Sequence, residues 1–256
     1  MSVPQDSTKR FSSRVENYVK YRPSYPAAVI DILTEHCHFT PNAVLADIGS
    51  GTGLLTELFL KQGNPVFGVE PNREMREAGE RLLAAYPNFT NVAGTAEATT
   101  LPDHTVDFVT AGQAFHWFDF AKARQEFLRI LKPQGWAVLV WNVRQPQATP
   151  FMAGYEALMH RYAIDIENAS QEYRINDAIL AEFYGSDGYQ RATCPNRQIF
   201  DFEGVKGRLL SSSYMPDAGH PQYNVMLADL ATLFENEQAD GQVFIEYETR
   251  VYYGHL

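Results

Sequence analysis

Cysteine is scarce in this chain of 256 residues: only Cys37 and Cys194 occur, in unrelated contexts without CxxC or His-rich spacing. That scarcity argues against a disulfide framework or a structural zinc site and for a reducing compartment. Long apolar runs are missing too; none approaches the roughly 20 residues that span a bilayer, so no membrane partner is expected. The opening "MSVPQDSTKRFSS" lacks the apolar stretch of a secretory signal, which makes the cytoplasm the expected location. Basic charge is in deficit, with 21 Lys and Arg against 31 Asp and Glu and a formal net charge of −10. Tight contact with nucleic-acid backbones draws on clustered Lys and Arg, so DNA and RNA are not expected partners. Internal repeats and low-complexity tracts are also absent.

What is present is 45% hydrophobic content in a regular alternation. Short apolar runs at 43–48, 65–70, 105–112 and 135–142 read as strands, as does a more polar and weaker stretch at 88–94. Amphipathic stretches such as "GLLTELFLKQG", "NREMREAGERLLAAY" and "FAKARQEFLRIL" fall between them and read as helices. The string "KPQG" before the fifth strand reads as a turn. Such an order implies a parallel sheet with helices on both faces. After Gln145 the alternation breaks into helical segments. A sixth strand is expected over 197–204, then a helix over 222–238 and a closing aromatic-rich strand in "QVFIEYETRVYYGHL". The expected fold is α/β, Rossmann-like and doubly wound, with a mostly parallel seven-stranded sheet and a helical insertion after strand five.

The stretch "LADIGSGTGLLTELFL" (45–60) packs Gly49, Gly51 and Gly53 between the first strand and its helix. Open parallel sheets bind ligands beyond the carboxyl ends of their strands, where strand order reverses. A glycine-rich turn there lets a ligand approach the backbone, and it aims the helix N–H groups at the ligand. A tight turn alone leaves two acids unexplained: Asp47, two places before the first glycine, and Glu70, at the end of the second strand. A carboxylate there can accept both ribose hydroxyls of a nucleoside. The dinucleotide fingerprint fails, because its third glycine falls on Leu54, and no phosphate loop of the G-x-x-x-x-G-K-[ST] type occurs. A nucleoside without a pyrophosphate remains.

These residues resemble the class I S-adenosylmethionine-dependent methyltransferases of type 11. "ADIGSGTG" is similar to their first motif and "VFGVEPN" to their second. "GTAEATTLPDHTVDFVTAGQAFHWFD" is similar to their adenine loop and fourth strand, and "LRILKPQGWAVLVWN" to the segment through strand five. The resemblance is strong over about 38–145 and loose beyond. "YVKYRPSYP" further resembles the small-molecule branch that includes trans-aconitate methyltransferase-like proteins. The resemblance implies S-adenosyl-L-methionine as cofactor, with Gly49, Ser50, Gly51 and Gly53 against its methionine and ribose portions. Asp47 would help hold the ammonium, Glu70 the ribose, and Pro71 and Asn72 the adenine flank. Thr95, Ala96 and Glu97 would meet the adenine edge; many relatives have Asp where Thr95 stands. Gln113 would lie near the methionine part, while Tyr18 and Arg22 close over it, Arg22 pairing with the carboxylate. The domain reading that follows is one methyltransferase domain over 1–256. It has a cofactor-covering segment (1–26), a core (27–145), a helical insertion or acceptor cap (146–195) and closing elements (196–256).

Methyl transfer from a sulfonium is an in-line displacement that aligned, water-free reactants can accomplish. A base is needed only for a protonated acceptor, so a carboxylate needs none and a hydroxyl does. His116, in "QAFHWFD", is the one candidate base, though a packed ring beside Trp117 is the commoner role for such a residue. Arg144, Arg161 and Arg174 are candidates for an anionic small-molecule acceptor, and solvated helix faces explain them equally. "EHCHFT" brings His36, Cys37 and His38 together without further ligands, so no metal is expected. Two rival readings stay open: a nucleoside-binding regulator or subunit without turnover, and a nicotinamide-dependent oxidoreductase of related fold.

Overall fold

The computed structural model describes residues 19–164, 176–185 and 188–256. Four parallel pairings build the centre of the sheet. β1 (Leu45–Ile48) lies between β2 (Val66–Val69) and β4 (Val106–Gly112). β3 (Phe89–Val92) extends the β2 side and β5 (Leu131–Arg144) the β4 side. β7 (Val243–Gly254) runs antiparallel between β5 and β6 (Gln190–Phe200). The order is β3-β2-β1-β4-β5-β7-β6, the expected seven-stranded, mostly parallel, Rossmann-like sheet. Strand order reverses between β1 and β4, so the crevice at their carboxyl ends is the place for a ligand.

Apart from Asp47, β1 is apolar without alternation because both faces are covered, and all four of its residues are buried. On one face, Leu45, Phe108 and Val138 pack against Val29 and Leu33 of α1 (Ala28–Cys37) and Leu55 and Phe59 of α2 (Leu54–Leu60). On the other, Ile48, Val109 and Leu139 pack against Phe127 of α4 (Phe120–Ile130), with α3 (Arg73–Leu82) preceding it in the chain. A third core joins α5 (Pro150–Tyr162), α7 (Phe202–Leu210) and α8 (Tyr223–Glu237) to Val243, Ile245 and Tyr247 of β7. Of the stretch 146–195, α5 belongs to that third core. α6 (Asp177–Tyr184) instead packs beside α4, where Tyr184 donates to the carbonyls of Ala137 and Tyr252.

Two local expectations change. β6 begins at Gln190, earlier than 197, and ends before Asp201, whose carboxylate caps α7 by accepting from Gly204 N at 2.8 Å. It is a polar edge strand held by continuous pairing with β7 rather than by apolar burial, so its hydrophobic pattern is faint. Pro195 is tolerated there because an edge strand has one unpaired side. The "KPQG" turn lies inside β5 as an irregularity: Leu131 pairs with Val106 and Trp136 with Phe108, and Gln134 takes φ +65°. Among the described residues no helix is long and apolar enough to cross a membrane.

Candidate functional site

The three glycines after β1 all have positive φ, and each answers a different demand. A Cβ on Gly49 would stand 2.7 Å from the Cβ of Ala114, so Gly49 lets the loop after β4 close against it. A Cβ on Gly53 would meet Leu83 at 2.5 Å; this residue is the N-cap of α2 and packs inward, away from the cavity lining. Gly51 alone faces relatively open space, with Met75 Cε at 3.4 Å from its Cβ position. It borders a cleft that opens to solvent.

Glu70 forms the floor of that cleft and is 8% exposed. Its Oε2 accepts from Gly51 N at 2.9 Å and its Oε1 from Asn72 N at 2.8 Å. The carboxylate is thereby clamped to both the glycine loop and the start of α3. An ionised carboxylate offers about four acceptor positions, which leaves two for a ligand. Burial pushes its proton affinity up, against the opposing pull of the two amides and of Arg76. Asn72 caps α3 by accepting from Met75 N at 2.8 Å, and with Pro71 it forms one wall. Thr95, Ala96 and Glu97 form the facing wall, stiffened by a bridge between Thr95 and Ala98 and by Asp119 N donating to Glu97 Oε1.

A smaller recess beneath holds Asp47, Gly49, Ser50, Thr52 and Tyr25. Asp47 is 1% exposed and accepts from Thr56 Oγ1 at 2.6 Å and Thr110 Oγ1 at 3.1 Å. Burial drives its carboxyl up to about 7, with the two threonines opposing and the Glu70 charge adding to the rise. Thr52 Oγ1 is buried there and has no hydrogen-bond partner among the described residues. A buried acid beside an unpartnered hydroxyl suits a compact cationic group with donors to spare.

Gln113 stands where the cleft meets a further pocket and lines both. It takes φ +54°, a conformation uncommon outside glycine, with its side chain turned so that Oε1 accepts from Asn142 N at 2.9 Å. His116 is half-buried in the turn Phe115–Trp117; its neighbours Ala114, Trp117 and Phe118 line the cleft, and His116 is not among the lining residues. Trp117 and Phe118, with Phe115 an aromatic set whose commoner role is a wall, do line the cleft; Met75, Gly112 and Ala114 were not singled out from sequence, since a small or apolar residue carries no local sign of which cavity it walls.

The segment from Tyr21 to Tyr25 is strapped across the ends of β5, β6 and α7. Gln198 donates to the Tyr21 carbonyl at 3.1 Å, while Asn142 and Asn196 donate to that of Ser24 at 3.3 and 2.8 Å. The Tyr21 ring occupies the space a Cβ on Gly207 would need, and the Tyr25 hydroxyl that of a Cβ on Gly112. Arg22 thus reaches the pocket beyond Gln113 and donates to the Ser211 carbonyl at 3.1 Å. Tyr18 and Arg174 lie outside the described residues. Arg161 is on the surface, paired with Asp229 at 2.9 Å, and Arg144 is in the pocket with Arg22. In "EHCHFT", the His36 ring stacks on Tyr253, Cys37 is buried, and His38 ends α1 in a left-handed conformation.

A family model described as a methyltransferase domain, of type 11, matches residues 46–139. A Schizosaccharomyces pombe protein described as an uncharacterized methyltransferase-like protein is 32% identical over 256 residues, covering 97% of this chain and 96% of its own. The chain belongs to the S-adenosylmethionine-dependent methyltransferases. An uncharacterized methyltransferase of Mycobacterium tuberculosis is 41% identical over 142 residues, 55% of each chain, so the chain spans about half the length of that relative. Among solved structures, a candidate type II methyltransferase of Anaeromyxobacter dehalogenans superposes with a TM-score of 0.69 at 21% identity. It covers 92% of this chain and 98% of that one, and the likeness is one of fold. The part matched by the family model runs from β1 into β5, so it contains the glycine loop, Glu70, the Thr95–Glu97 wall and Gln113.

Proposed function

We propose that the protein transfers a methyl group from S-adenosylmethionine to a small-molecule acceptor, giving S-adenosylhomocysteine. The observation that carries this reading is the Glu70 carboxylate, clamped by the Gly51 and Asn72 amides at the floor of a cleft beside the strand-order reversal. The fit to the cofactor is supported by the space kept open at Gly51 and by the buried Asp47–Thr52 recess below it. When bound, S-adenosylmethionine supplies an electrophilic methyl on a sulfonium that departs as a neutral thioether.

The chain's own residues have binding and positioning to do. Glu70 would accept the ribose hydroxyls, Pro71 and Asn72 would flank the adenine, and Thr95, Ala96 and Glu97 would meet its edge. Asp47 and Thr52 would hold the ammonium end, with Gly49 and Ser50 alongside; Gly53 would set the helix start. Gln113 and Tyr25 would separate the cofactor from the acceptor, and Trp117 and Phe118 would exclude water. With His116 outside the lining, the arrangement favours an acceptor that arrives without a proton to lose, such as a carboxylate. Membership of the trans-aconitate-like branch, supported by "YVKYRPSYP", belongs to this same proposal.

Calorimetric titration with S-adenosylhomocysteine and, separately, with NAD tests the reading. Binding of the first and not the second is the expected result. Heat with NAD alone refutes it. Incubation with S-adenosylmethionine and pools of small acids should then yield S-adenosylhomocysteine; saturable cofactor binding with no turnover on any pool would favour a regulator.

A further inference from the structure

We propose that the pocket beyond Gln113 seats a carboxylate group of the methyl acceptor, with Arg208 as its anchor. The proposal rests on the methyltransferase reading above and assigns its acceptor side.

The pocket gathers three guanidinium groups, Arg22, Arg144 and Arg208, in a chain whose net charge is −10. Arg208 comes from α7 and is 2% exposed. Its Nε donates to Tyr247 Oη at 3.2 Å, and its Nη1 to Ser211 Oγ and Ser212 Oγ, both at 3.3 Å. All three acceptors are neutral, and among the described residues no carboxylate pairs with Arg208. Nη2, the second arm of the fork, makes none of these bonds. A guanidinium cannot shed its proton to escape burial, so an unpaired one is a standing cost that an incoming anion would relieve.

Arg144, whose side chain is 8% exposed, is paired with Glu156 at 3.0 Å, which fixes its position at the pocket wall. Tyr247, itself donating to Gln198 at 2.9 Å, keeps the lone pair that Arg208 uses pointed inward. The surroundings are therefore preformed: a buried cation with hydroxyl partners, a second cation oriented by its own acid, and a polar wall. A planar carboxylate matches the guanidinium fork.

Two sources of such a carboxylate exist, the acceptor and the cofactor's own amino-acid end. The acceptor is favoured because Arg144, Arg208 and Tyr247, which come from β5, α7 and β7, line this pocket and take no part in lining the cleft that holds Glu70 or the recess that holds Asp47.

The test is calorimetry on protein saturated with S-adenosylhomocysteine, at constant ionic strength, using succinate, its neutral counterpart succinamide, and inorganic phosphate. Succinate should bind at least about tenfold more tightly than succinamide. Arg208→Met should remove that preference while leaving the affinity for S-adenosylhomocysteine within about threefold. Arg208→Lys, which keeps the charge without the fork, should retain a reduced preference, and it serves if the methionine variant does not fold. Equal binding of succinate and succinamide to the native protein overturns the proposal, as does succinate affinity untouched by Arg208→Met. Loss of S-adenosylhomocysteine affinity with succinate unaffected would assign the carboxylate to the cofactor, and tighter binding of phosphate would replace the ligand class. Failure of the native protein to bind S-adenosylhomocysteine would strike the methyltransferase reading instead.

Discussion

Replacing Glu70 with alanine separates what this carboxylate does for the fold from what it does for the ligand. In the free protein it holds two backbone amides, Gly51 N at 2.9 Å and Asn72 N at 2.8 Å. The Asn72 amide lies in a buried bond, whereas that of Gly51 is only part-buried, so water can replace the carboxylate there and the buried amide bears most of the loss. An unmet buried donor costs about 1–3 kcal/mol, and loss of the desolvated charge offsets part of it. The net destabilisation should be about 2 kcal/mol, which in a chain of this size lowers Tm by roughly 4–8 °C. The ligand loses more. Two hydroxyl bonds to an ionised acceptor are each worth about 1.5–3 kcal/mol, so the affinity for S-adenosylhomocysteine should fall by more than ~100-fold. Calorimetry at 15 °C, with circular dichroism to confirm that the variant is folded, reads both quantities on one sample. A folded variant that binds within threefold of the native protein would refute the assignment of Glu70 as the ribose acceptor.

Asp47 carries a pH signature. Its folded value of about 7 lies above the ordinary 3.8, so the native state keeps a proton that the unfolded chain has released. Stability of the free protein should therefore fall as pH rises from about 4 to about 7, and Asp47→Asn should flatten that slope in thermal melts. Ligand affinity should run the other way, rising through pH 7 as Asp47 ionises to meet an ammonium group; an affinity independent of pH between 6 and 8 would count against that role. At Gly51, valine would combine a branched side chain with φ +58°, a conformation costing about 1–3 kcal/mol, and would intrude on the cleft. Binding of S-adenosylhomocysteine should disappear, and full affinity in this variant would remove the glycine loop from the site. Gly207→Ala should push the Tyr21 ring from its seat and expose the strap to protease while the main melting transition stays close to native; an unchanged cleavage pattern would show that the ring does not hold the strap.

Legibility in the sequence followed distance along the chain. The glycine loop, Asp47 and Glu70 lie within 24 residues, and their chemistry and spacing are readable together because β1, its turn, α2 and β2 follow one another in the chain. The pocket beyond Gln113 could not be read this way. Arg22 precedes the first described strand, Arg144 ends β5, Arg208 sits in α7 and Tyr247 in β7. Only the antiparallel entry of β7 between β5 and β6 makes them neighbours. Arg208 also hides in plain view, since "VKGRLLSSS" reads as a short helix with nothing local to set its arginine apart. β6 was half-read because its register, rather than its hydrophobicity, defines it. The aromatic wall at Trp117 and Phe118 shows the same limit: "FHWF" announces packing without saying around what.

The strap over the site is gripped by its carbonyl oxygens, which every amino acid supplies alike. Gln198, Asn142 and Asn196 reach up from the sheet and hold the polypeptide itself, whatever side chains it presents. Apart from Tyr21 and Tyr25, which fill fitted seats, and Arg22, whose guanidinium reaches the Ser211 carbonyl, the exposed position 24 is consequently an interchangeable fitting on a fixed rail. An engineer could vary that site without re-laying the track, and natural drift would have had the same liberty.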